Sequence, residues 1–301
     1  MSDTFHDLYK THILVSDGAM GTMLQKYGLK AGLCPEEWNL SHPEVIQSIH
    51  QQYFASGSDL VETNTFGANR FRLSNHGHGE RVREFNHRAA ELACAIRPSG
   101  KFVAGSVGPT GEFLEPLGNL KFEQLVDIFQ EQVDALCTGG VDLIIVETMS
   151  DLQEARAALL AVKKIASSLP VAVTMTFEKG PTGFRTMMGN SCGDVIALLT
   201  NEGADLIGAN CGFGMEEMIG IMTEFKKHSG HPLIAQANAG MPKWDGQKNI
   251  YTETPAQRGR AVYKLLELDT KIIGGCCGTT PEHIHAIRTA VDSYQISAQK
   301  K

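Results

Sequence analysis

The 301-residue sequence predicts an α/β protein that folds as a single (β/α)8 barrel, or TIM barrel. Three observations lead to this prediction: eight short apolar runs rich in β-branched residues, a helix-length segment with a period near 3.6 after nearly every run, and a length that suits one barrel of roughly 250 residues. Runs that are apolar throughout are typical of strands buried on both faces, as in a parallel sheet. A doubly wound open sheet is the alternative fold.

The eight predicted strands are distributed along the whole chain. They are residues 13–17 (ILVSD), 59–66 (DLVETNTF), 102–109 (FVAGSVGP), 142–148 (DLIIVET), 171–177 (VAVTMTF), 205–211 (DLIGANC), 233–240 (LIAQANAG) and 271–278 (KIIGGCCG). The strings SGSDLVE, GGVDLII and EGADLIG form a short internal repeat, in which a helix end leads through a small residue to Asp-Leu and an apolar strand. Because eight such units close a barrel, we expect one domain over residues 1–301.

The segments between these strands carry helix start and stop signals. Ser150 followed by Gln153 predicts a capping box at the start of DLQEARAALLAVKKIA. No linker rich in Pro or Ser divides the chain, and the last helix is expected over residues 280–295, before the polar tail ISAQKK. The longest interruptions follow the first strand (with CPEEWNLSHPEV) and the seventh strand (GMPKWDGQKNIYTETP, with Trp244). Both are expected over the carboxyl-terminal mouth, where barrel enzymes build their active sites.

Composition excludes several classes of protein. The net charge of -7 and the scattered basic residues do not suit a nucleic-acid partner. No apolar run approaches the roughly 18 residues that a membrane helix needs, and the amino-terminal segment lacks the features of a secretory signal, so we expect a cytoplasmic location. The seven cysteines are odd in number and irregularly spaced, which favours metal binding or catalysis over a disulfide framework.

Polar side chains cluster at the carboxyl ends of the predicted strands, where a barrel places its functional groups. These residues are Asp17, Glu62, Asn64, Glu147, Asn210, Cys211, Asn238, Cys276 and Cys277. The other unusual residues are expected to be unremarkable: His76, His78, His283 and His285 as exposed surface, and Cys34, Cys94, Cys137 and Cys192 as free structural thiols.

Three of these strand-end residues predict a metal site. Ends of alternate strands converge in a barrel, so Cys211 can meet Cys276 and Cys277. The vicinal pair can share a metal only if its strand has ended or is kinked, which the flanking glycines permit. Zinc suits an all-sulfur set, and three ligands leave a fourth position open, as in catalytic sites. Three thiolates also make an anionic centre that suits a sulfur ligand better than water, so we expect activation of a substrate thiol.

The turn DGAMGT (residues 17–22) predicts the other end of the pocket. Its backbone N–H groups could receive a carboxylate, and Asp17 and Glu147 could bind an ammonium group. Together with the metal, these features describe a pocket for an α-amino acid with a thiol side chain. An ordinary βα turn at residues 17–22 and buried, uncharged cysteines are the alternative interpretations.

The combination of motifs resembles the homocysteine S-methyltransferase family, and in particular the homocysteine-binding barrel of its cobalamin-dependent methionine synthase branch. The motifs are DGAMGTMLQ, ETNTFGANR, GSVGPTGE, ETMSDLQEA, GANCG and GGCCGTTPEHI, and the similarity covers nearly the whole chain. The resemblance implies a zinc-dependent barrel in which homocysteine sulfur takes the fourth zinc position and is methylated to methionine.

The resemblance also implies roles for individual residues. Cys211, Cys276 and Cys277 would bind zinc, and Asp17 and Glu147 would bind the ammonium group of homocysteine. The remaining pocket residues are Gly18 and Ala19, whose backbone would receive the carboxylate, and Asn64 and Asn210, which would line the pocket.

The methyl donor is left open by the resemblance, because cobalamin-dependent methionine synthases resemble multi-domain chains with folate and corrinoid modules. The strand-two and strand-four motifs favour methylcobalamin carried by a separate corrinoid protein. S-methylmethionine or a betaine is the alternative donor. Two further alternatives are a non-catalytic subunit that presents homocysteine to a corrinoid methyltransferase complex, and a structural zinc site, which would need a fourth protein ligand.

Overall fold

Eight parallel strands form the barrel in the computed structural model, which describes residues 4–181, 183–246 and 249–298. The barrel strands are β1 (Leu14–Val15), β2 (Leu60–Glu62), β3 (Phe102–Val107), β4 (Leu143–Met149), β5 (Val171–Met175), β8 (Leu206–Asn210), β9 (Leu233–Ala237) and β12 (Thr270–Gly275). Their order around the sheet is β1-β12-β9-β8-β5-β4-β3-β2. This arrangement confirms the predicted (β/α)8 barrel and excludes the doubly wound sheet. Seven strands are shorter than their predicted segments, and β4 has the predicted length but is shifted by one residue.

Two short hairpins complete the strands. They are β6 (Glu178–Gly180) with β7 (Gly183–Arg185), and β10 (Lys243–Trp244) with β11 (Asn249–Ile250). The second hairpin belongs to the long loop predicted after the seventh barrel strand, of which Gln247 and Lys248 lie outside the described residues. Because both hairpins follow carboxyl ends of barrel strands, they lie at the mouth of the barrel.

Helices follow each barrel strand. Those that occupy the outer layer are α4 (Pro43–Ala55), α6 (Val82–Ala95), α7 (Phe122–Thr138), α8 (Leu152–Ile165), α9 (Cys192–Asn201), α10 (Met215–His228), α11 (Pro255–Glu267) and α12 (Pro281–Ala298). The shorter helices are α1 (Phe5–Thr11), α2 (Gly21–Lys26), α3 (Trp38–Ser41) and α5 (Arg70–Ser74), with single 3-10 turns at Pro35–Glu37 and Gly79–Arg81. Among the helices that the structure describes, none is long and apolar enough to cross a membrane.

Two predicted helix ends differ from the structure. Asp151, rather than Ser150, caps α8, because its carboxylate accepts the Gln153 N–H at 2.8 Å. The last helix runs to Ala298, past the expected end at residue 295, and residues 299–301 lie outside the described part of the chain. Terminal residues of helices are poorly fixed by sequence pattern alone, because the last turn adds few buried contacts.

The internal repeat has a structural explanation at the amino-terminal edge of the barrel. Each repeated Asp accepts the N–H of a valine on the adjoining strand through its side chain and also donates its own N–H to the carbonyl of that valine. The side-chain distances are 2.8 Å for Asp59 with Val15, 2.8 Å for Asp142 with Val103 and 2.9 Å for Asp205 with Val171. The repeat therefore fixes the register of neighbouring strands at the amino-terminal face of the barrel, which is the face that contributes to stability.

The seam between β1 and β2 is joined differently from the other strand pairs. No strand ladder links these two strands, and a backbone bond from Asp59 to Val15 (2.6 Å) joins their amino-terminal ends. At the carboxyl ends, the side chain of Asp17 accepts the N–H of Glu62 at 2.9 Å. In a regular strand ladder, a backbone carbonyl would be the acceptor. Asp17 therefore helps to close the barrel as well as bordering its mouth.

The barrel interior is closed at its amino-terminal end. Phe5 and Tyr9 of α1 pack against inward-facing strand residues such as Leu60 and Phe102, and the rings of Phe5 and Phe102 meet edge to face at 5.3 Å. Alternate strand residues, such as Val61, join the separate apolar layer under the outer helices.

Candidate metal and substrate site

A cavity of about 370 Å³ lies at the carboxyl ends of the barrel strands. All nine residues predicted for the site border it: Asp17, Gly18, Ala19, Asn64, Glu147, Asn210, Cys211, Cys276 and Cys277. Among the described residues that line the cavity there are four carboxyl groups and three thiols, and there is no Lys, Arg or His. A pocket of this volume suits a small molecule, and its side chains favour cationic groups.

The sulfur atoms of Cys211, Cys276 and Cys277 lie within 4.8 Å of one another. Cys211 directly follows β8, and the vicinal pair follows β12, which ends at Gly275. Because the pair lies beyond the strand, the rule that neighbours point to opposite faces does not apply to it. Over the described residues, no fourth His, Cys, Asp or Glu atom belongs to this group. The donor set therefore fits a metal with one open position.

Strand β9 holds the two cysteine segments in register, because it lies between β8 and β12 in the sheet. The N–H of Cys211 donates to the Gln236 carbonyl at 3.1 Å, and the N–H of Cys276 donates to the Ala237 carbonyl at 2.9 Å. One residue further along, the Cys277 carbonyl accepts the N–H of Ala239 at 2.9 Å. The convergence of the three sulfurs thus follows from ordinary parallel pairing continued past the strand ends.

Hydrogen bonds among the thiols distribute the charge of the cluster. Bonds from Cys276 and Cys277 lower the pKa of Cys211 to about 3, although burial opposes this shift. Bonds to Cys211 and to Cys277 raise the pKa of Cys276 well above its usual value, and the bond to Cys211 raises the pKa of Cys277 to about 11. One thiolate is therefore favoured before a cation arrives, and a bound metal would have to release the remaining protons.

A buried ion pair, which sequence reasoning did not predict, supports the end of β9. Arg258 on α11 is fully buried and pairs with Glu253 at 2.6 Å. Its guanidinium also donates to the carbonyl oxygens of Ala237 (3.3 Å) and Asn238 (2.6 Å). The side chain of Asn238 hydrogen bonds to Cys211 and contributes to the low pKa of that thiol. Arg258 therefore acts on the sulfur cluster through the strand end.

Tyr251, in the long loop after β9, also reaches the sulfur cluster. Its hydroxyl hydrogen bonds to Cys277, which together with burial raises the pKa of Tyr251 above its usual value. Its ring packs on Gly278, where an added Cβ would lie 2.2 Å from the ring and where φ is +77°. The prediction that this loop covers the mouth is confirmed at Tyr251, whereas Trp244 in the same loop is 67% exposed.

Three carboxyl groups form one wall of the cavity: Asp17 and Glu147, which are buried, and Glu62, which is half-buried. Burial raises the pKa of Asp17, Glu62 and Glu147, and repulsion between the neighbouring carboxylates adds to the shift for Asp17 and Glu62. Glu62 hydrogen bonds to Glu147 and accepts a bond from Gln236. Since each ionised carboxylate here lacks a cationic partner among the residues that line the cavity, a bound ammonium group would be stabilised.

The turn after β1 is tightly packed against the segment after β12. An added Cβ at Gly18 would lie 2.9 Å from the carbonyl oxygen of Thr279 and 3.0 Å from the Tyr53 ring, so only glycine fits. The N–H of Ala19, expected to receive a carboxylate, instead donates to Thr279 at 3.2 Å. Ala19 therefore has no free backbone donor, because the packing of the turn already uses it.

The amide group of Asn64 is also already hydrogen bonded within the protein. Its amide group donates to the Pro35 carbonyl at 2.8 Å and to Asn39 at 3.0 Å, which fixes the loop after β1 against the end of β2. His283 was expected to be exposed, and this expectation was wrong: the residue is 6% exposed, and its ring hydrogen bonds to the Glu253 carbonyl at 2.8 Å. The four cysteines expected to be free thiols, Cys34, Cys94, Cys137 and Cys192, are free.

Comparisons with known proteins agree with this geometry. A family model described as homocysteine S-methyltransferase matches residues 14–291. The methionine synthase of Mycobacterium leprae is 34% identical over 305 residues, and that of Mycobacterium tuberculosis is 33% identical over 302 residues. Each match covers 95% of this chain but 25% of the relative, so the chain spans about a quarter of the length of these proteins.

A solved structure supports the fold. The metallated form of the homocysteine methyltransferase MmuM from Escherichia coli matches with a TM-score of 0.78 at 24% identity, over 93% of this chain and 96% of that chain. The extent of the family match and the identity to the curated relatives place this chain in a known group. The chain belongs to the homocysteine S-methyltransferase family of enzymes.

Proposed function

We propose that this chain transfers a methyl group to the thiol of homocysteine, giving methionine, with zinc held by Cys211, Cys276 and Cys277. The observation that carries the proposal is the meeting of three sulfur atoms in a cavity that Asp17, Glu62 and Glu147 also line. A thiol can approach the three cysteines while an ammonium group pairs with the carboxyl groups. Homocysteine carries both groups on one short chain.

The sulfur cluster supports zinc rather than a harder metal, because all three donors are soft. Zinc in this position would supply a Lewis acid that lowers the pKa of an added thiol, which at about 8.5 is only roughly 3% ionised at pH 7. The chain itself contributes the orientation of the ligands, through β9 and Arg258. It also contributes a cavity with apolar as well as acidic walls.

The amino-acid end of the substrate is assigned to the carboxyl wall and to the turn after β1. We propose that Asp17 and Glu147 bind the ammonium group. The substrate carboxylate is assigned to the backbone of Gly18, in the turn that follows β1. Ala19 is left out of this assignment because its N–H is already bonded.

We propose a methylcorrinoid protein as the methyl donor, supported by the apolar character of the barrel mouth. Seven large apolar side chains are exposed in loops that follow the carboxyl ends of barrel strands: Leu33, Phe113, Leu117, Met187, Met241, Trp244 and Ile250. Exposed apolar groups concentrated on one face are typical of a protein interaction surface. S-methylmethionine or a betaine would need no such surface.

Turnover measurements with a panel of donors test the proposal. The zinc-loaded protein is incubated with homocysteine and, separately, methylcobalamin, S-methylmethionine or glycine betaine, and methionine is quantified. We expect methionine from methylcobalamin, with formation lost after zinc removal and recovered when zinc is returned. Methionine from another donor alone would overturn the donor assignment. Tight homocysteine binding without turnover with any donor would instead favour a subunit that only presents homocysteine.

A further inference from the structure

The carboxamide of Asn210 has no hydrogen-bonding capacity left for a ligand. Its amide nitrogen donates to Glu147 Oε2 at 3.0 Å and to Thr148 Oγ1 at 2.7 Å. Its oxygen accepts the N–H of Thr148 and the hydroxyl of Thr174, both at 2.8 Å. Two donors and two acceptor positions are all that an asparagine side chain offers. Asn210 is 1% exposed, so it borders the cavity without a free polar atom to present to a substrate.

Two residues with left-handed backbones adjoin this carboxamide. Thr148 and Cys211 both have φ of 59°, a region that is unfavourable for residues with a side chain and most of all for a β-branched one. Such conformations persist only where the surroundings hold them in place. Asn210 holds Thr148 through its N–H and hydroxyl, and it is the chain neighbour of Cys211. It therefore lies between the two strained positions of the site.

The carboxylate of Glu147 is fixed on both of its oxygen atoms. The hydroxyl of Ser106 donates to Oε1, and Asn210 donates to Oε2. Loss of the Asn210 donor would leave Oε2 with the longer bond from the Thr148 hydroxyl (3.4 Å), and loss of the Asn210 oxygen would remove the acceptor of the Thr148 N–H. Because Asn210 is joined by a peptide bond to Cys211, these contacts also set the spacing between the carboxylate and one sulfur of the cluster.

We infer that Asn210 is a positioning residue that holds Glu147 at a fixed distance from Cys211 and thereby couples recognition of the amino group to placement of the thiol. The inference rests on the proposed function, since it takes Glu147 as a partner of the substrate ammonium group. Asn210 lines the cavity as expected, and the inference gives it a role through Glu147 rather than through a bond of its own to homocysteine. A residue with this role affects only those ligands that carry both an amino group and a thiol.

Two thiols that differ only in the amino group test the inference. Homocysteine is compared with 4-mercaptobutanoate, which has the same chain and carboxylate but no amine. Dissociation constants are measured by calorimetry on zinc-loaded protein, together with zinc content and melting temperature. In Asn210→Asp, a carboxylate oxygen replaces the amide nitrogen that donates to Glu147. We therefore expect homocysteine to bind about 30-fold more weakly, which is the loss typical of a broken buried charged contact. Binding of 4-mercaptobutanoate should weaken less than about threefold, because its contacts do not involve Glu147.

Two further variants, a second replacement of Asn210 and a control, are compared with Asn210→Asp. Asn210→Ser removes the amide without adding charge and should give the same pattern at smaller amplitude. Thr176→Val is the matched control, because the Thr176 hydroxyl donates to the backbone carbonyl of Asn210 at 3.2 Å and leaves the carboxamide bonds intact. Both dissociation constants should be unchanged in this control.

Equal weakening of both thiols in the Asn210 variants, or no weakening of either, would overturn the inference while leaving the proposed function in place. If the unaltered protein binds the two thiols equally well, the assignment of Glu147 to the ammonium group is wrong. In that case the inference about Asn210 is wrong with it.

Discussion

Replacing Cys211 with serine is expected to abolish stoichiometric zinc binding and to reduce methionine formation by at least about 100-fold, since even changes outside the ligand shell of a metal cost 10- to 100-fold. Serine keeps the size of the side chain but is a poor ligand for a metal that prefers sulfur. Cys211 is also the thiol whose pKa is lowered to about 3 by bonds from Cys276 and Cys277, so its loss removes the favoured anion of the cluster. Zinc content is measured by metal analysis and activity by methionine production.

Cys137→Ser is the matched control for this experiment. Cys137 is a free, partly buried cysteine on α7, outside the cavity. Its replacement changes the number of thiols in the same way but should leave zinc content and activity unchanged. Full zinc occupancy and full activity in Cys211→Ser would contradict the metal assignment, because two remaining sulfurs cannot reproduce the three-sulfur site.

The replacement Glu147→Gln is expected to raise the homocysteine KM by about 30- to 100-fold, because a buried charged contact is worth roughly 2–3 kcal/mol. The amide nitrogen of glutamine would face groups that donate to the carboxylate, namely Ser106 and Asn210, so the loss includes unpaired donors as well as the charge. We expect kcat with saturating homocysteine to change far less, since the ammonium contact is present both before and during methyl transfer.

Glu154→Gln provides the corresponding control for Glu147. Glu154 on α8 is 6% exposed and accepts the N–H and hydroxyl of Thr110 through one oxygen, Oε1, at 2.8 and 2.6 Å. Glutamine can keep both bonds through its carbonyl oxygen, and the residue does not line the cavity. The KM should therefore be unchanged. An unaltered KM in Glu147→Gln as well would remove this carboxylate from the substrate site.

The barrel was predictable because each central strand is buried on both faces and so leaves a continuous apolar run in the sequence. The ends of the strands were harder to predict from apolar runs. The run at residues 13–17 becomes a strand of only two residues, Leu14–Val15, because the chain turns away and the Asp17 side chain takes over the pairing with β2. A side chain that replaces a backbone acceptor cannot be recognised from hydrophobic periodicity.

The convergence of the three sulfur atoms was predictable for a different reason. Cysteine is rare and chemically distinctive, so its occurrence at two strand ends indicates a function before any geometry is known. Arg258 and Tyr251 gave no comparable signal, because an arginine on an amphipathic helix and a tyrosine in a loop are ordinary. Their relation to the sulfur cluster arises only when α11 and the loop after β9 fold over the strand ends. His283 was taken as exposed for the same reason.

The most direct test is X-ray absorption at the zinc edge, recorded on the zinc-loaded protein without and with homocysteine. Cys211, Cys276 and Cys277 leave one tetrahedral position open, so sulfur is expected to fill it when the thiol binds. We predict three sulfur neighbours at about 2.3 Å from zinc in the free protein and four with homocysteine. A spectrum that still shows three sulfur neighbours when homocysteine is bound would contradict the account.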